Sequence, residues 1–335
     1  MPVLLLPASF LQGKGSDPSC YSGALELREY RECRVGQLPQ IYLNILIPVF
    51  ALVAIGYVVG PRLGLEARTL SRVAYFVLVP AFTFSVLTTS RIDAAIAGRM
   101  VLYIGVVEVA FALIAVGIAR LFKRSPQMTG AYVLIAVFPN VGNFGLPIVQ
   151  FAFGPDALIA ATIYFIAMST ISFIIGVAAA NWHHGSNLRS LVAVLKTPAV
   201  IAVVPALLFN LFGTHPPLVI ARPAGLLAGA MVPVMLIALG VQLAGAGIPR
   251  LDSDMLGASL IRLLIGPALA ALIVIPFHLT SLSRDAGVLQ SAMPAAILAS
   301  IIAFEHDLLP TFVTATVLFS TLISIITLAA NIAIL

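Results

Sequence analysis

Asn140 and Asn143 lie close together in the stretch FPNVGNFGLP, residues 138–147, with Pro139 and Pro147 at its ends and Gly142 and Gly145 between them. A side-chain amide donates hydrogen bonds without carrying a charge, so two of them on one short segment suit reversible capture of a carboxylate. Neither is a nucleophile or a base at neutral pH, so the chemistry they offer is binding. Their neighbours add donors of a second kind. Proline removes an N–H and clashes with the preceding turn, while glycine admits backbone conformations closed to other residues and lets a ligand approach. Six helix-unfavourable residues in the nine positions of PNVGNFGLP predict a broken helix. Where a helix restarts, its N-terminus presents unpaired N–H groups and roughly half an elementary positive charge.

A second break is expected at Pro294 in QSAMPAAILA, where Gln290 and Ser291 are the nearby polar side chains. Two charged residues, Glu108 and Arg262, fall deep inside apolar runs and are expected to pair beneath the breaks and support them. Should Glu108 titrate, it would couple protons to the protein's work. Gln242 is a further candidate contact to a bound ligand. Thr316, Ser320 and Ser324 recur at helical spacing and are read mainly as packing hydroxyls, whereas Pro48, Pro80, Pro205 and Pro233 are read as helix kinks. Enzymatic chemistry is not expected, because HExxH, GxSxG and paired intramembrane aspartates are all missing. His183 and His184 lie in a polar connector, Cys20 and Cys33 lie in the N-terminal tail, and no metal or cofactor site is expected.

The elements that must position these residues follow from composition. Of 335 residues, 61% are hydrophobic and 9% charged, against about 25% charged in a soluble domain. The mean hydropathy of +1.09 makes lipid the main solvent and the bilayer the first partner. The formal charge of +5 is spread over short loops and the tail, which excludes a nucleic-acid surface. Apolar runs give ten candidate spans, at about 41–60, 67–88, 99–121, 129–154, 157–180, 197–213, 218–245, 254–277, 284–305 and 309–335. Pro80 and Pro233, Glu108 and Arg262, and Pro139 and Pro294 are separated by 153, 154 and 155 positions. That near-constant offset predicts an internal repeat of five spans. An odd repeat enters the bilayer from opposite sides, so the predicted fold is an all-α membrane protein of two inverted five-helix repeats with spans 4 and 9 broken and crossed. The predicted organisation is a disordered tail over 1–40, repeats over 41–180 and 197–335, and a connector over 181–196. Lys and Arg concentrate after odd-numbered spans, at Arg62, Arg68, Arg72, Arg120, Lys123, Arg124, Arg189, Lys196 and Arg250, so the connector is expected in the cytoplasm and both termini outside. Lys14, Arg28, Arg31 and Arg34 in the tail oppose that assignment.

FPNVGNFGLPIVQFAFG resembles the fourth-span signature of the auxin efflux carrier family, the membrane transport proteins that include plant PIN carriers and bacterial dicarboxylate carriers. LSRVAYFVLVPAFTFSVL, VPVMLIALGVQL and QSAMPAAILASIIAFEHD are similar to its second, seventh and ninth spans. The resemblance covers about 41–335. It implies a scaffold of spans 1, 2, 6 and 7 and a moving core of the others. It also implies a carboxylate-binding Pro-Asn pair falling on Pro139 and Asn140. Plant carriers offer a second asparagine near the ninth-span break; this chain has Gln290 and Ser291 there. The expected function is elevator-type secondary active transport, in the efflux direction, of a small organic anion, either a dicarboxylate or an auxin-like carboxylate. It would operate in a bacterial inner membrane, with room for proton or sodium coupling and for a homodimer. The alternative is a sodium/proton antiporter or sodium-coupled organic-acid symporter of the same broad fold. Such proteins place carboxylates at the crossover, and neither break here contains one.

Overall fold

Away from water only a helix or a closed barrel satisfies its own backbone groups, and the apolar runs of this chain fold as helices. The computed structural model describes residues 39, 42–89, 94–180, 198–245 and 252–335. Within them the elements are α1 (Tyr42–Arg62), α2 (Ala67–Thr89), α3 (Ala94–Leu121), α4 (Pro126–Val137), α5 (Val141–Phe153), α6 (Ala157–Ala180), α7 (Pro198–Leu211), α8 (Leu218–Gly245), α9 (Ser253–Phe277), α10 (Ser281–Ser291), α11 (Ile297–Glu305) and α12 (Pro310–Ile334). Among the described residues seven of these, α1, α2, α3, α6, α8, α9 and α12, are long and apolar enough to cross a membrane. The expected fourth span is two short helices, α4 and α5, and the ninth is α10 and α11. The tail and the 181–196 connector lie outside the described residues, apart from a single helical position at Pro39.

The prolines act locally in two ways. Four helices contain a π turn, and each turn is followed by a proline two residues after its end. The turns are Tyr42–Leu46 before Pro48, Ala74–Leu78 before Pro80, Val141–Gly145 before Pro147 and Ile261–Ile265 before Pro267. A proline ring crowds the carbonyl four residues back and offers no N–H. The wider turn moves that carbonyl aside, so the helix continues through the proline. Pro205 and Pro233 sit inside α7 and α8 with no such turn.

The helices pack in two groups. In the first, α1 lies along α8 and α2 lies along α7 and α8. The α1–α8 contact is backbone on backbone: a Cβ on Gly56 would collide with the Ile237 carbonyl, and one on Gly240 with the Val53 carbonyl. Small residues permit this approach where lipid supplies no hydrophobic drive between helices. In the second group α3, α4, α6, α9, α10, α11 and α12 pack together. Helices α3 and α9 run side by side in opposite directions. Arg124, just after α3, meets Asp254 at the start of α9 (2.8 Å), and Arg99 near the start of α3 donates to the carbonyl of His278, just after α9 (3.3 Å). Between those ends the Tyr103 hydroxyl donates to the Ala270 carbonyl at 3.1 Å.

Candidate functional site

The two helix breaks face each other and are joined. The N–H of Asn140 donates to the Pro294 carbonyl at 2.7 Å, and the N–H of Ala296 donates to the Phe138 carbonyl at 2.7 Å. Pro139 and Ala295 thus form a single antiparallel bridge. Each interruption answers part of the hydrogen-bonding need that the other creates, which lets non-helical backbone persist inside packed protein. The Ser320 hydroxyl on α12 accepts from the N–H of Ala295 at 3.2 Å, completing the second break.

Four half-helices meet here, and their ends are treated differently. The C-terminal ends of α4 and α10 present free carbonyls with partial negative charge. Arg262, fully buried on α9, answers them: Nε donates to the Met293 carbonyl at 2.9 Å, Nη1 to the Ala136 carbonyl at 2.5 Å, and Nη2 to the Ser291 carbonyl. Its guanidinium also lies 4.8 Å from the centre of the Phe111 ring. The N-terminal ends of α5 and α11 receive no such answer. Among the described residues the N–H groups of Gly142, Asn143, Ile297 and Leu298 have no hydrogen-bond partner. The side chain of Asn140, 5% exposed, makes no hydrogen bond to another described residue, and Asn143 is half-buried and likewise free. These are uncommitted donors at electropositive helix ends.

The glycines of the first break are fixed by close neighbours. A Cβ on Gly142 would come within 2.9 Å of the Phe165 ring, and one on Gly145 would collide with Oε1 of Gln290. Gln290 is fully buried; its Nε2 donates to the Ala161 carbonyl at 3.3 Å, and Oε1 is left without a partner. The first break also touches the other packing group, because Phe144 meets Phe50 of α1 edge to face at 5.4 Å.

Of the residues expected at this site, Pro139, Asn140, Gly142, Asn143, Gly145, Gln290 and Pro294 line or support the crossing. Ser291 contributes its backbone carbonyl to Arg262, while its hydroxyl donates to the Gly287 carbonyl. Gln242 donates to the Ser71 hydroxyl at 2.8 Å, tying α8 to α2, and forms no hydrogen bond with either break among the described residues. The expected pairing of Glu108 and Arg262 is electrostatic only, with no hydrogen bond or close ion pair between them among the described residues. Every donor nitrogen of Arg262 is directed at a carbonyl, and both oxygens of Glu108 are buried without a hydrogen-bond partner.

Ser320 carries more of the site than its expected packing role, and the i, i+4, i+8 stripe it belongs to was the available signal. Tyr103, Tyr132 and Tyr164 also tie α3, α4 and α6 to their neighbours, and no motif in the sequence marks them. Tyr132 donates to Asp254 and Tyr164 to the Ser283 carbonyl. A phenol inside an apolar helix needs a hydrogen-bond partner, and that need was the sign to follow.

The family described as membrane transport protein matches residues 41–187 and 183–332. An uncharacterized transporter of Methanothermobacter thermautotrophicus is 29% identical over 290 residues, covering 84% of this chain and 95% of that protein. An uncharacterized transporter of Escherichia coli (strain K12) is 24% identical, covering 79% and 88% respectively. A protein of Rhizobium meliloti named "Putative malonate transporter" is 24% identical, covering 85% and 92%.

Proposed function

The chain belongs to the membrane transport protein family and is an integral multi-pass membrane protein, and from that premise we propose that it is a secondary active carrier of small organic anions. The observation that carries this reading is the joined pair of breaks, with unpartnered N–H groups on α5 and α11 and the free amides of Asn140 and Asn143 beside them. A carboxylate docked there gains charge-assisted hydrogen bonds without requiring a permanent cation. Neutral donors allow the site to stand empty between cycles, whereas a buried lysine would cost about 2.5–3.5 kcal/mol.

Ten spans in two inverted repeats account for the pairing of helices. If span 1 corresponds to span 6 and span 2 to span 7, the α1–α8 and α2–α7 contacts are one contact seen twice. The opposed directions of α3 and α9, held at both ends, agree with the same symmetry. In this reading α1, α2, α7 and α8 are the static scaffold. The other helices carry the crossing past it, exposing it to each side of a bacterial inner membrane in turn, with the termini outside and net movement outward.

The substrate class is a small mono- or dicarboxylate, and malonate is the first candidate because the Rhizobium meliloti relative's name mentions it. Reconstituted protein should exchange labelled malonate, malate or an indole acid across the vesicle membrane, and a pH or sodium gradient should drive accumulation. Sodium flux that is indifferent to all three acids would instead identify the antiporter.

A further inference from the structure

One buried ionisable group beside the crossing has no role in the site as described. Glu108 on α3 is fully buried, and neither carboxyl oxygen has a hydrogen-bond partner among the described residues. The groups that act on it are Arg262 from α9 and the Ser172 hydroxyl from α6, itself without a partner. The other ionisable side chains on α3 and on the helices packed against it face elsewhere. Tyr103, Tyr164 and Arg99 donate to the carbonyls of Ala270, Ser283 and His278. Tyr132 and Arg124 both meet Asp254, Arg284 meets Asp285, and Arg120 lies in the last turn of α3.

A carboxylate held dry, with no hydrogen bond formed to it among the described residues, costs several kcal/mol, and the neutral acid costs far less. The guanidinium that would offset the charge is committed to three carbonyls. We infer that Glu108 is a proton-binding site whose occupancy sets the hold of Arg262 on the crossing. With the proton in place, Arg262 clamps the ends of α4 and α10. When the proton leaves for water, the new carboxylate competes for the same N–H groups, because an ion pair in a low-dielectric interior outweighs bonds to neutral carbonyls. Arg262 then swings from the carbonyls of Ala136, Ser291 and Met293 toward Glu108, and the frame of the substrate site loosens. One proton is exchanged per change of clamp, so a pH gradient has a point of purchase on the movement of the core. This inference rests on the carrier reading, since the released carbonyls belong to the helices that frame the proposed substrate site.

Infrared spectroscopy of the full-length protein in lipid at neutral pH, where exposed carboxyls are ionised, tests the proton site with no substrate present. The expected spectrum contains a protonated-carboxyl carbonyl band that shifts in heavy water and is lost in Glu108→Gln. A wild-type spectrum without such a band overturns the inference whether or not the variant folds, and a carboxylate neutralised by a bound sodium ion would give that spectrum. A band that survives in folded Glu108→Gln overturns it as well. Efflux of labelled malonate should lose its pH dependence in Glu108→Gln, and an unchanged pH profile would remove Glu108 from the mechanism. The infrared band needs no cargo, so a band found in a protein that moves none of the three acids would sustain the proton site while the carrier reading falls.

Discussion

The backbone N–H of Asn140 donates to the carbonyl of Pro294 at 2.7 Å, joining the interruptions of two helices that belong to opposite halves of the chain. The bond uses the backbone of Asn140 and leaves its side-chain amide free. The structural role of Asn140 and its proposed binding role are therefore separable.

Asn140→Ala should keep the crossing and lose a ligand donor. A hydrogen bond to a charged group contributes about 1.5–3 kcal/mol, so the half-saturating concentration of a transported acid should rise roughly tenfold or more. Thermal unfolding in detergent should barely move. A large fall in stability with unchanged affinity would assign the amide to the fold instead.

Gly145→Ala tests the fit of the first break against Gln290. Its new methyl collides with Oε1 of a side chain that is itself fully buried, and overpacking of this kind costs about 1–3 kcal/mol. The double variant Gly145→Ala with Gln290→Ala should recover part of that loss in a thermal-unfolding comparison. Equal damage in the single and double variants would mean that the collision is not with Gln290.

Removing the clamp should be worse than either change. Arg262→Met leaves the carbonyls of Ala136, Ser291 and Met293 buried without their donor, at a cost of about 1–3 kcal/mol for each such group. Poor folding yield is expected. Arg262→Lys keeps the charge but not the planar fork, so its stability should fall between those of the wild type and Arg262→Met.

Much of this arrangement was legible in the sequence. Pro139, Gly142, Gly145 and Pro147 inside an apolar run announced the first break, because no other residues spoil a helix so effectively. Pro294 announced the second only by its offset from Pro139. Two aspects were hidden for a physical reason: they depend on backbone groups, which every residue shares. Carbonyl partners carry no signature, so the repeat offset points Arg262 at the other deeply placed charge, Glu108, whereas its donors belong to the carbonyls of Ala136, Ser291 and Met293. The π turns before Pro48 and Pro80 were hidden in the same way, since a kink and a widened turn begin from the same proline.

Packing between α1 and α8 offers an independent check on the proposed scaffold. Gly240→Ala drives a methyl into the Val53 carbonyl, a backbone atom that cannot step aside, whereas Gly229→Ala meets nothing within 4 Å. The first should unfold well below the wild type and the second should match it or exceed it slightly, helped by the better helix propensity of alanine. Equal behaviour would mean that the two helices do not touch at this point.

The most direct test is equilibrium binding of malonate, malate and an indole acid to the purified protein in lipid, by calorimetry, alongside Asn140→Ala. If the crossed breaks hold an organic anion, at least one acid binds the wild type and binds the variant about tenfold or more weakly. If none of the three binds, or if the variant binds as tightly as the wild type, the crossing is not the substrate site.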